Sequence, residues 1–172
     1  MDCNPELIAA AQNNTAKLGF SDRFALHTGE LADTRFLENL RMEASPVQLV
    51  MANPPWRLVG SGRLPATEAR RKALFGDKGT FPLFASAASS LLEEDGRFAC
   101  IISPDRLQDM LAALDGAGLT PYLLQYIHKQ KTSPATFVLI EARKGAHAKP
   151  IALYGPECFF TLESLAFCPF LR

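Results

Sequence analysis

The chain has 172 residues, 48% of them hydrophobic and 21% charged, with 18 basic side chains balanced by 18 acidic ones. That size suits one hydrophobic core, and the composition argues against a disordered chain. Zero net charge argues against a protein that grips nucleic acid with its whole surface.

The elements read in order as follows. Pro5 to Leu18 is helical, with proline in the first turn and Gly19 as its stop. Arg23 to Thr28 reads as a short strand and Thr34 to Arg41 as a short helix. Val47 to Ala52 (Val-Gln-Leu-Val-Met-Ala) is almost wholly apolar, the pattern of a parallel strand buried on both faces. Asn53 to Gly79 is long and punctuated by glycine and proline, with one short helix over Pro65 to Leu74; connections of that length tend to be functional or disordered. Thr80 to Leu92 is helical. Glu94-Asp95-Gly96 turns into a strand over Arg97 to Ser103, and Pro104 opens a helix to about Asp115. Pro121 to His128 and Thr136 to Ala142 are strands with no helix between them, so they pair as an antiparallel hairpin. Ile151 to Tyr154 reads as a further short strand and Thr161 to Ala166 as a helical turn. Alternation of this kind builds an α/β sheet, mostly parallel and covered by helices, in a single domain over 1–172.

The four cysteines (Cys3, Cys100, Cys158, Cys168) form no C-x-x-C pair, and Cys100 lies in an apolar run as a small buried hydrophobe. The three histidines lack ligand spacing, so no metal is expected. The first residues lack the basic and apolar regions of a signal peptide, no apolar run reaches membrane-spanning length, and a cytoplasmic protein is expected. Charge concentrates locally: between Arg57 and Lys78 stand Arg57, Arg63, Arg70, Arg71, Lys72 and Lys78 against Glu68 and Asp77. Such a stretch is either a phosphate-binding patch or a solvated face.

Asn53-Pro54-Pro55-Trp56 directly follows the apolar strand, where ligands of open α/β sheets bind. The prolines fix φ and offer no N–H, so rigid carbonyl acceptors, an amide side chain and an aromatic plate stand together. These parts suit methyl transfer to a planar amine. Acceptors at the Asn53 side-chain oxygen and the Pro54 carbonyl would make the amine nitrogen more tetrahedral and more nucleophilic, and Trp56 would stack on the base. The plainer alternative is a turn whose Trp56 covers a core edge.

With this motif the chain resembles class I S-adenosylmethionine-dependent methyltransferases carrying N-P-P-[YFW]. More closely it resembles the bacterial tRNA (adenine-N6) methyltransferases that modify the adenine 3′ of the valine tRNA anticodon. Asp2-Cys3-Asn4-Pro5-Glu6 is similar to the segment ending the family's second strand, and His27-Thr28-Gly29-Glu30-Leu31 to the segment after its third. Ala135 to Gly145 and Tyr154-Gly155-Pro156 are also similar to that subfamily.

The resemblance implies S-adenosylmethionine as cofactor, with Asp2 on the ribose and Glu30 at the adenine, flanked by Cys3 and Leu31, and Asn53 near both cofactor and substrate. It also implies Asn53, Pro54, Pro55 and Trp56 as the catalytic set, with Trp56, Arg57, Arg63, Arg70, Arg71 and Lys72 holding RNA. Alone, Asp2-x-Asn4 reads more commonly as a helix N-cap, and Glu30 after Gly29 reads also as a solvated turn residue.

The family's Rossmann-like sheet runs 3-2-1-4-5-7-6 and begins with a strand and a glycine loop that this chain lacks; Gly60-Ser61-Gly62 and Gly116-Ala117-Gly118 have the wrong context. The fold expected is thus an N-terminally truncated methyltransferase sheet with an antiparallel C-terminal hairpin. Three consequences are expected: weak binding of S-adenosylmethionine or none, an exposed edge at Val47 to Ala52, and either Arg23 to Thr28 or a second copy of the chain pairing with that edge. The functional readings are an adenine-N6 methyltransferase on RNA, in particular tRNA; a glutamine-N5 methyltransferase on protein; and a non-catalytic remnant that folds and associates.

Overall fold

The computed structural model describes residues 1–44, 46–58, 65–130, 132–145 and 151–159, the side chains of 69 and 153–159 excepted. The chain divides into two compact units, Met1–Ser45 and Pro46–Arg172.

In the first unit, α1 (Pro5–Lys17) starts where the Asn4 side chain accepts a hydrogen bond from the Glu6 N–H at 2.9 Å. It stops before Gly19, whose φ of 71° an L side chain rarely adopts. A second helix, α2 (Thr34–Ala44), is capped by Asp33, which accepts from the Arg35 and Phe36 N–H groups. The expected strand over Arg23 to Thr28 does not form. Ser21–Arg23 is a 3-10 turn, and Thr28 alone makes a parallel bridge, to Asp2. The segment's apolar content suits a strand, but a ladder needs a neighbour along its whole length and the described residues offer one bridge.

In the second unit, one sheet is built from β1 (Val47–Ala52), β4 (Leu92–Ile102), β6 (Ala135–Lys144), β5 (Leu119–His128) and β7 (Ala152–Phe159), in that spatial order. The first pair is parallel, β4–β6 and β6–β5 are antiparallel, and β7 is parallel to β5. The expected hairpin forms and extends at both ends. It is inserted so that its second strand lies beside β4, which reproduces the 4-5-7-6 half of the expected order. Between β1 and β4 run two short strands paired in parallel, β2 (Arg57–Leu58) and β3 (Phe75–Gly76), with α3 (Glu68–Leu74) between them. Two further helices, α4 (Thr80–Leu91) and α5 (Leu107–Gly116), supply the cover.

The core forms where one sheet face meets α4 and α5. Phe98, Cys100 and Ile102 of β4 pair with Ala142, Ile140 and Val138 of β6, all buried, and pack with Phe81, Ala85, Ala88, Met110 and Leu114. Burial of that kind stabilises by about 25 cal/mol per Å² of apolar surface. It also pushes the Cys100 thiol up to about 12, from an ordinary value of 9.0, because a buried thiolate has no water.

Two boundaries and the burial of one strand differ most from expectation. The Glu94-Asp95-Gly96 turn lies inside β4, as a register shift opposite Val47 to Leu49 with Asp95 at φ 65°. Pro104–Arg106 is a 3-10 turn, and α5 starts only at Leu107. Strand β1 is not buried on both faces: Leu49 is 41% and Met51 77% exposed. It is an edge strand whose described partner is β4 alone. The expected helical turn at Thr161 to Ala166 lies outside the described residues.

Candidate active site

The motif stands where the sheet's carboxyl edge brings three chain segments together. Parallel pairing aligns Ala52 with Cys100, so Asn53-Pro54-Pro55-Trp56 and Ser103-Pro104-Asp105-Arg106 leave the same end of adjacent strands. Antiparallel β6 enters at that end: Ile102 pairs with Val138, which puts Phe137 next to the motif. Convergence here is a consequence of register.

Within the motif the four residues divide their work. Pro54 is fully buried and Pro55 half-buried, which anchors the turn. Asn53 is exposed and makes no side-chain hydrogen bond to another described residue, so its amide is available to a ligand. Trp56 is half-buried: its ring packs on the core and stands edge-to-face with Phe137, centroids 6.3 Å apart at 74°. The indole therefore covers a core edge and still presents surface. Arg57, exposed, lays its guanidinium 5.3 Å from the indole centroid.

Two residues beyond the motif hold it. Arg106, 4% exposed, donates through Nη1 to the Trp56 carbonyl at 2.7 Å and through Nε to Asp109 at 2.7 Å, and its guanidinium lies 4.5 Å from the Phe81 ring centroid. Gly76 of β3 comes so close that an added Cβ would sit 2.5 Å from the Pro55 carbonyl oxygen and 2.6 Å from Thr80 Oγ1. Around it, Asp77 Oδ1 accepts from the Gly79 N–H and the Thr80 hydroxyl, which starts α4 against the motif. Neither was legible in the sequence. Arg106 reads there as one helix residue among many, and Gly76 as one glycine of a punctuated loop. Phe137, an aromatic in an apolar strand, carried no mark either.

The basic residues form a second group. Arg70, Arg71 and Lys72 are exposed on α3, whose N-cap Thr67 accepts from the Arg70 N–H; Arg71 lies 3.9 Å from Glu68. Pairing of β2 with β3 ties this helix directly to the residues after Trp56. Arg63 lies outside the described residues.

The other candidate residues belong to the first unit. Asp2 and Thr28 are bridged, with the Asp2 N–H donating to the His27 carbonyl and the Gly29 N–H to the Asp2 carbonyl. Asp2 Oδ1 accepts from the Asn4 N–H at 2.8 Å, so Asp2 tightens the turn that Asn4 caps while Oδ2 makes no bond to a described residue. Cys3 and Glu30 are exposed and Leu31 half-buried. Gly29 is required because the Phe36 ring fills the space a Cβ would take. Two acidic side chains thus stand at the ends of neighbouring extended segments. Carboxylates are what a ribose diol and an adenine amine bind. Among the described residues no cluster could hold a metal.

No family profile and no curated protein sequence matches the chain. Solved structures do. A protein named as a predicted O-methyltransferase from Agrobacterium tumefaciens superposes with a TM-score of 0.65 at 20% identity, over 98% of this chain and 71% of its own. A protein described as an rRNA methylase from Clostridium thermocellum gives 0.54 at 19% identity, over 83% and 72%. TrmN from Thermus thermophilus gives 0.51 at 15%, over 83% of this chain and 34% of its own. This protein has the Rossmann-like α/β fold of those methyltransferases.

Proposed function

We propose that the protein is an S-adenosylmethionine-dependent methyltransferase acting on the N6 amine of an adenine in RNA, in particular tRNA, in the cytoplasm. The observation that carries the reading is an exposed Asn53 amide, unbonded to any described residue, beside a half-buried Trp56 at the carboxyl edge of a methyltransferase-type sheet. Both units are read as parts of one methyltransferase domain.

The cofactor supplies an electrophilic methyl group; Asp2 and Glu30 fit its ribose and adenine, with Cys3 and Leu31 beside them. The chain's own residues do the rest. Asn53 Oδ1, exposed, accepts from one N–H of the amine, which draws its lone pair out of conjugation; the Pro54 carbonyl, the second acceptor of this reading, belongs to a fully buried residue and takes the other N–H only once the turn opens to substrate. Pro55 keeps the turn rigid. Trp56 stacks on the base, worth roughly 1–3 kcal/mol. No strong base is needed, because a nitrogen carrying positive charge releases its proton to water.

Arg57, Arg63, Arg70, Arg71 and Lys72 are assigned to phosphates, because their stretch holds a local excess of positive charge in a chain of zero net charge. An adenine must leave its stack to reach such a site, which is easiest in a loop like the anticodon loop. The neighbours named for rRNA and O-methyl transfer support methyl transfer more than they support any substrate.

The test is methyl transfer from labelled S-adenosylmethionine to a tRNA transcript and, separately, to a protein substrate. Nucleoside mass spectrometry should find N6-methyladenosine in the first. Methylglutamine in the second with unmodified RNA would replace this reading by the protein one.

A further inference from the structure

We propose that Arg106 is a positioning residue, a buried latch that holds the Trp56 plate in the plane a base requires. Its effect on substrate rests on the base-site reading above; the latch itself does not.

Arg106 is the one buried polar or charged residue among the described residues. A guanidinium taken out of water is costly unless paired, and an apolar side chain in the same place is often as stable or more so. Burial at this point therefore calls for a conformational reason. The bonds supply it. One arm reaches across 50 residues to the Trp56 carbonyl, a second reaches Asp109 one turn along α5, and the planar group rests on Phe81 of α4. Together they tie the peptide after Pro55 to both helices that cover the sheet.

The prolines restrict the turn only up to Pro55, and pairing of β2 with β3 holds the chain again from Arg57, so Trp56 stands between the two restraints with its own φ and ψ. A charge-assisted bond to the Trp56 carbonyl fixes the next peptide plane and, through it, the direction of the indole. With Phe137 as the side stop and Arg106 as the backbone stop, Trp56 has one orientation. Arg106 is too deep to touch substrate itself.

Trp56 is the chain's single tryptophan, so its emission reports this site alone. The experiment compares the full chain with Arg106→Met, Arg106→Lys and Asp109→Ala. It measures tryptophan anisotropy and acrylamide quenching without ligand, quenching by adenosine, and the melting midpoint. In Arg106→Met, anisotropy should fall, acrylamide access should rise, and adenosine affinity should weaken by about tenfold. Arg106→Lys should recover part of each, since it keeps a charge and one donor. Asp109→Ala, an exposed change, should show the same pattern more weakly and decides the matter if Arg106→Met does not fold.

Unchanged anisotropy and acrylamide access in both Arg106→Met and Asp109→Ala would overturn the latch. An unaltered adenosine affinity alongside a loosened indole would overturn its link to the base. If adenosine fails to quench the unaltered chain, the base-site reading falls, and the ligand-free measurements still decide the latch.

Discussion

In the proposed site Asn53 gives an amine its acceptor and Trp56 gives the attached ring a surface, so removing each should produce a different loss. Trp56→Ala forfeits stacking and should weaken binding of an adenine-containing single strand by roughly ten- to a hundredfold, measured by fluorescence polarisation of a labelled strand. Arg57 is predicted to split two readouts. It lies over the indole, where a base would stack, and carries a charge that phosphate would attract. Arg57→Ala should bind free adenosine as well as or better than the unaltered chain, and single-stranded RNA several-fold more weakly. A parallel loss in both would show that Arg57 does not compete for the ring.

Residue chemistry at this scale was partly open to sequence reading. Asn-Pro-Pro-Trp announces itself, because two prolines between an amide and an indole leave little conformational choice. Arg106 does not, because its meaning depends on a partner 50 residues away that only the register of β1 and β4 brings near.

Elements were legible where local chemistry decides them. Capping by Asn4, the stop at Gly19 and the two apolar runs flanking a polar loop define α1 and the β5–β6 hairpin before any packing is known. The stretch from Arg23 to Thr28 failed as a strand for the opposite reason, since a strand is decided by its neighbour.

The two short strands around α3 matter more than their length suggests, because they set a basic helix beside Trp56. Replacing Arg70, Arg71 and Lys72 together by alanine should leave the melting midpoint unchanged. RNA affinity should fall uniformly across sequences, and the slope of log affinity against log salt should flatten by about one unit for each phosphate no longer neutralised. A steep slope retained in the triple variant would remove α3 from the interface.

In β4, the Cys100 thiol held up near 12 makes a pH prediction. The folded chain keeps this proton where the unfolded chain, near 9, has lost it. Stability contributed by Cys100 is then full below pH 9 and falls as pH rises toward 12. Urea titrations should show an alkaline decline that is shallower in Cys100→Ala.

For the whole molecule, β1 is the edge open to pairing. Its outward edge carries backbone groups without a described partner, and Met51 at 77% exposure is unusual for a strand of that apolarity. A second copy of the chain is the proposed occupant. Met51→Lys should lower any concentration-dependent association seen by sedimentation velocity; a chain that stays monomeric at high concentration would dismiss it. Among the described residues no helix is long and apolar enough to cross a membrane.

The general design is a half-covered sheet whose carboxyl edge gathers segments from β1, β4 and β6. This is where the functional account stands or falls: the edge must recognise an amine, and not merely a flat ring. Adenosine and purine riboside differ only in that amine, so their affinities for the full chain, read from Trp56 quenching, isolate it. The account predicts that adenosine binds about tenfold more tightly, and that the preference disappears in Asn53→Ala while stacking persists. Equal affinity for the two nucleosides in the unaltered chain would contradict it.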